Sequence, residues 1–182
     1  MNALYAYEAA AGVRIESGLT ATEDIDLLLD SRARLQFVAT GEAETASLLR
    51  VLQQVDGSFE RSREPFRARN RDGYIVDILE AMSVEGLAWH ESAPAFEAVA
   101  IDERGEPLRL VASDPRVFAI HKYWLAQRLD REPIKKPRDL QQARVVAALT
   151  AAFLPHLRLD GDDLRMLPKE LVDEAQPLFR KA

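Results

Sequence analysis

An α+β fold is predicted for this chain of 182 residues: a mixed sheet with flanking helices over residues 1–113, then a helical subdomain over 114–182. Three observations predict it. Two hairpin signals, each an apolar or β-branched run around a glycine-containing turn, stand at residues 66–79 and 98–111. Helix-period segments flank them on the N-terminal side. From Asp114 onward the chain turns rich in Ala, Leu, Gln and Arg and carries helix punctuation. Hydrophobic residues make up 47% and charged residues 30%, the composition of a chain that buries a core.

Ala3 to Ala11 reads as a helix with Leu4 and either Tyr7 or Glu8 near one face. Ile25, Leu27 and Leu29 share one side of a strand, and Asp24, Asp26 and Leu28 share the other. Thr40-Gly41 precedes a helical segment with Leu48, Leu49, Leu52 and Val55 as its apolar positions. Glu42 and Glu44 stand in its first turn, where the helix dipole favours acids, and Asp56-Gly57 ends it. Phe66, Ala68 and the turn Arg71-Asp72-Gly73 lead into the strand Tyr74-Ile75-Val76-Asp77-Ile78-Leu79. A second hairpin pairs Ala98-Val99-Ala100-Ile101 with Leu108 to Val111 across Asp102 to Glu106. Asp114 is an N-cap with Pro115 at the first helical position, followed at helical spacing by Phe118, Leu125 and Leu129. Pro133 and Pro137 bracket a break. A helix runs from Pro137 through Leu140, Ala143, Ala147 and Leu154, and Pro168 starts a last one toward Phe179.

Composition narrows function. Lys+Arg is 24 and Asp+Glu 30, a net charge of −6, which argues against general binding to nucleic-acid backbone. With Cys at 0, disulfides, thiolate zinc sites and cysteine nucleophiles are excluded. Met1 to Gly12 has no basic residue, and no apolar run approaches the roughly 20 residues that span a bilayer, so a cytoplasmic protein without membrane contact is expected.

The informative feature is Thr22-Glu23-Asp24-Ile25-Asp26. Residues two apart on a strand share a face, so Asp24 and Asp26 stand side by side. Two carboxylates ~4 Å apart repel by roughly 4 kcal/mol at an effective dielectric of 20. A cation between them relieves that, and so does water if the strand end is exposed. Asp77 is a third acid in an apolar strand, where it is costly unless paired or ligated. Three such acids on adjacent strands form a hard-oxygen site suited to magnesium.

These segments, Thr22-Glu23-Asp24-Ile25-Asp26-Leu27-Leu28 and Tyr74-Ile75-Val76-Asp77-Ile78-Leu79, resemble the catalytic strands of the nucleotidyltransferase superfamily that includes DNA polymerase beta. A bacterial nucleotidyltransferase-fold family is closer still. The resemblance extends to Asn2-Ala3-Leu4-Tyr5-Ala6-Tyr7-Glu8, to Phe118-Ala119-Ile120-His121-Lys122-Tyr123, and to Lys135 through Ala143. It implies a nucleotidyltransferase-like sheet and a two-metal transfer of a nucleoside monophosphate from a nucleoside triphosphate to an acceptor: a small molecule, RNA or protein. Asp24 and Asp26 would hold two magnesium ions. Asp77 would complete the second and orient or deprotonate the attacking hydroxyl. Lys122 would contact phosphate; a solvated helix lysine is the plainer alternative.

In that family a Gly-Thr turn stands just before the Asn-Ala-Leu-Tyr-Ala-Tyr-Glu segment, and its amides bind the triphosphate. The chain starts at Met1-Asn2, so it is expected to lack that turn and the strand before it, and to bind nucleotide weakly. A competing expectation follows: a catalytically weak or inactive interaction module, one half of a toxin–antitoxin-like pair or a homo-oligomer.

Remaining features have plainer readings. Arg67, Arg69 and Arg71 are expected on one strand face, either meeting an acidic substrate such as RNA or simply solvated. Lys135-Lys136 and Arg138-Asp139 read as a cleft lining or a solvated helix start. Asp160-Gly161-Asp162-Asp163 reads as a turn and cap. Trp89 and Trp124 read as core or subdomain contacts. His90, His121 and His156 are too scattered for a zinc site.

Overall fold

The structure, a computed structural model, describes residues 3–20, 24–29, 49–64, 67–80, 86–102 and 104–180; for 24–29 and 78–80 it describes the backbone alone. Asn2, Thr22, Glu23, Thr40, Gly41, Glu42, Glu44, Leu48 and Phe66 lie outside the described residues. The architecture is α+β, as the patterning predicts. The chain forms two compact units, one within Thr22–Glu91, the other within Asn2–Ala21 and Ser92–Ala182. The boundary expected at 113/114 thus falls inside the second unit.

The first unit is a mixed sheet. Strands β1 (Asp24–Leu29), β2 (Glu60–Arg61), β3 (Arg67–Arg69) and β4 (Ile75–Glu80) take the order β1-β4-β3-β2. The β1–β4 pair is parallel, and the β4–β3 and β3–β2 pairs are antiparallel. Phe59, Ala68 and Val76 are buried, with Leu49, Leu52 and Tyr74 against them. The described residues 49–55 form helix α3, which stops at Asp56-Gly57 as the turn signal predicts.

The turn that follows β3 positions β4. Gly73 has φ +88°, a conformation that costs a side-chain-bearing residue about 1–2 kcal/mol. Asn70 Oδ1 accepts from the Tyr74 amide at 2.8 Å, and Asn70 Nδ2 donates to Asp56 Oδ2 at 2.9 Å, which ties the turn to the helix end. Hydrogen bonds from Ser58, first from its amide, and then from Asn70 hold the Asp56 carboxyl below the ordinary aspartate range.

The second unit joins the N-terminal helix α1 (Ala3–Ala11) to the hairpin β5 (Ala95–Ile101) and β6 (Pro107–Ser113), and to α5 (Pro115–Gln127) and α6 (Lys136–Phe153). Its core includes Leu4, Tyr7, Leu110, Ala119, Val146 and Ala147. Tyr7 is the hub. Its ring stands edge-on to Phe96 and Phe118 at 5.5 and 5.6 Å, and its hydroxyl donates to the Ser113 carbonyl at 2.8 Å. Burial pushes that hydroxyl well above the usual tyrosine pKa. Here the end of β6 and the N-terminal helix share one core.

Asp114 caps α5 as predicted, accepting from the Arg116 amide at 2.8 Å, with Pro115 in the first turn. The helix ends at Gln127, so Leu129 is 98% exposed rather than on its apolar face. Short helices α2 (Ser17–Thr20) and α4 (Leu87–Ser92) lack a strong periodic signal, and the sequence reading does not anticipate them. Residues Asp162–Leu164 and Gln176–Phe179 are 3₁₀ turns on either side of α7 (Lys169–Ala175).

Arg116 is the least expected residue of this unit. It is 2% exposed. Its Nε and one terminal nitrogen donate to the two Asp114 oxygens at 2.9 and 2.6 Å, the other terminal nitrogen donates to the Arg158 carbonyl at 2.5 Å, and Asp163 receives a further bond. Burial acts against its charge, but the bonds to Asp114 and Asp163 outweigh that and raise its pKa above the ordinary arginine value. The Asp160–Asp163 turn therefore anchors a buried guanidinium, a role its sequence does not announce.

Candidate active site

The acids of the predicted site lie on adjacent parallel strands. The β1–β4 register pairs Asp26 with Asp77 and Asp24 with Ile75. The β3–β4 register pairs Arg67 with Asp77. One row across three strands thus reads Arg67, Asp77, Asp26. Two of the three predicted acids are direct cross-strand neighbours, and the third is two residues along β1. The side chains of Asp24 and Asp26 lie outside the described residues.

Asp77 is buried, 9% exposed. Its charge is met by Arg67: Nε donates to Oδ1 and a terminal nitrogen donates to Oδ2, both at 2.7 Å. This is the fork-on-fork pairing that arginine makes with a carboxylate. The expectation of a solvated Arg67, Arg69 and Arg71 face is corrected on two counts. Arg67 is ion-paired, and Arg71 belongs to the turn rather than the strand. The pairing has a sequence signal. A three-residue turn Arg71-Asp72-Gly73 with glycine in the left-handed position fixes the hairpin register. Counting back from it sets residue 67 opposite 77.

Among the described residues, no group of three or more His, Cys, Asp or Glu side chains converges on a point that could hold a metal ion. Asp24 and Asp26 fall outside that statement.

Lys122 lies in the second unit, on α5. Its Nζ donates to Asp139 Oδ1 at 2.9 Å and sits 5.8 Å from the Phe118 ring centre. Arg131 takes the other Asp139 oxygen, Nε to Oδ2 at 2.8 Å. The Asp139 side chain is 4% exposed, whereas those of Lys122 and Arg131 are 22% and 27%. Two partly exposed cations therefore share one buried carboxylate, a local excess of one positive charge. Asp139 is not a solvated helix start, and Arg131 is a residue that the sequence reading does not single out. Next to them His121 stacks on Trp124 at 5.6 Å, and the Arg128 guanidinium covers the Trp124 ring at 4.5 Å. A separate groove of about 610 Å³ on the C-terminal helices is lined by Leu157, Val172 and Phe179, and contains none of the predicted site residues.

The row at Asp77 separates two substitutions. With magnesium chelated, Asp77→Asn removes the fork to Arg67 and is expected to cost about 2 kcal/mol, lowering the melting temperature. Asp26→Asn removes one of two like charges, Asp24 and Asp26, that share a face of β1, and is expected to raise it. Differential scanning calorimetry of both variants in chelator checks the opposite signs.

Among the described residues, no helix is long and apolar enough to cross a membrane. A family model described as "Nucleotidyltransferase" matches residues 1–86 and 79–167 of the chain. Searches of curated proteins and of solved structures returned no significant match.

Proposed function

The chain belongs to the nucleotidyltransferase family, and from that premise we propose that it transfers a nucleoside monophosphate from a nucleoside triphosphate to an acceptor, with Asp24, Asp26 and Asp77 as the catalytic acids. The observation that carries this reading is the register: Asp26 and Asp77 are paired across parallel strands, at an Asp77 that already holds a cationic group in both carboxylate oxygens. A buried carboxylate beside a second acid is the donor chemistry of a hard divalent cation. Asp24, Asp26 and Asp77 would hold it. When bound, magnesium, as two ions in this reading, supplies charge stabilisation to the phosphoryl group and to the attacking and leaving oxygens.

The chain's own residues do the rest. The Asp24 and Asp26 carboxylates would hold the cations. An Asp77 oxygen orients the attacking hydroxyl of the acceptor and takes its proton as the new O–P bond forms and pyrophosphate leaves. Within the second unit, taken by itself, Lys122 with Arg131 beside it offers a cationic contact suited to a phosphate group, through the excess positive charge around Asp139. The net charge of −6 does not oppose this reading, because the cations supply the local positive field.

Isothermal calorimetry with magnesium and each of the four ribonucleoside triphosphates tests it. Heat of binding is expected with magnesium and not in chelator, and it is lost in Asp26→Asn. Magnesium-independent binding, or binding that Asp26→Asn leaves intact, removes the acids from the site. No binding to any triphosphate leaves the interaction-module reading.

A further inference from the structure

Arg67 engages both oxygens of Asp77. A carboxylate offers about four lone-pair sites, and a parallel guanidinium fork takes the two that face it. The Asp77 side chain is 12% exposed, so little water competes for what is left, and the Arg67 side chain is 33% exposed. The same row contains Asp26, the next acid across the sheet. A cation arriving at Asp26 and Asp77 therefore meets a positive charge already seated on one of its ligands.

Resting on the reading of these acids as a cation site, we propose that Arg67 is an internal competitor for that site: it holds Asp77 aligned and neutralised while no divalent cation is bound, and it sets the concentration at which one binds. Two physical effects act in the same direction. The guanidinium repels an incoming cation, and its fork holds one lone pair on each Asp77 oxygen, so a cation that ligates through the side the fork faces must displace it. Its position on the exposed side of the pair gives it somewhere to go, because a displaced arginine can be solvated while a displaced buried carboxylate cannot. Arg67 is in this sense a positioning residue, acting through Asp77.

The test is a titration of the full chain with magnesium alone, by calorimetry and by melting temperature, in wild type, Arg67→Met and Arg67→Lys. Methionine keeps the apolar stem and removes the charge. It is expected to tighten magnesium binding by tenfold or more, to lower the melting temperature in chelator, and to recover most of that loss as magnesium is added. Lysine keeps the charge but not the fork, so it is expected to fall between the two. If Arg67→Met does not fold, the lysine variant alone carries the test through a smaller tightening of the same sign. If wild type binds magnesium and the variants bind with equal or weaker affinity, the proposal is overturned and the cation site stands. If neither wild type nor variant binds magnesium, the proposal falls together with the cation site.

Discussion

Arg116→Leu is expected to be the most destabilising single substitution among the polar residues discussed, by about 3–5 kcal/mol, the usual cost of leaving one partner of a buried ion pair alone. For a chain of this size that corresponds to a fall in melting temperature of roughly 10 °C. Asp114, whose side chain is 3% exposed, would lose two charge-assisted bonds and keep the cap to residue 116. The Arg158 carbonyl and Asp163 would lose their anchor, and the Arg158–Asp163 turn would loosen. The double variant Asp114→Asn with Arg116→Leu is expected to recover part of the loss, since asparagine still caps the helix and leaves no stranded charge. Urea unfolding of the wild type, both single variants and the double variant measures this. Additive losses in the double variant would show that the pair does not act as a unit.

Asp26→Asn is expected to reduce nucleotidyl transfer by about 10³-fold or more. A metal site supplies several kcal/mol of transition-state stabilisation, and each 1.36 kcal/mol is a factor of ten. Asparagine offers one neutral oxygen in place of a charged carboxylate, beside an Asp77 that Arg67 already neutralises. Transfer of label from a nucleoside triphosphate, measured with and without magnesium, gives the number. The discriminating pattern joins that loss to a higher melting temperature in chelator, because a merely misfolded variant would lose both. Retained transfer would exclude Asp26 from the reaction.

The strands and the long helices were legible because their signals are local. Tyr74 to Leu79 is β-branched and follows a glycine turn, and it forms β4. Asp114-Pro115 caps and starts α5 by chemistry contained in three residues. The acids Asp24, Asp26 and Asp77 stood out for a similar reason, since charged residues in apolar strands ask for a partner. The sequence put the three acids on adjacent strands, but that Asp26 pairs with Asp77 in register was not legible. It depends on a parallel pairing between strands nearly fifty residues apart, which no local pattern encodes. The Arg67 partner lay between these cases. The three-residue turn contains the register, but a basic residue on a short strand reads first as solvated.

Period, caps, turn glycines and the types of residue available for chemistry belong to the sequence, because each arises from sterics and hydrogen bonding within a few residues. The joining of α1 to the C-terminal helices, the burial of Arg116, the sharing of Asp139 between Lys122 and Arg131, and the occupation of Asp77 by Arg67 were decided by tertiary structure. Each is a choice of partner for a charge or an apolar face. The energy of that choice depends on which distant segments remove it from water, and distance along the chain says little about that.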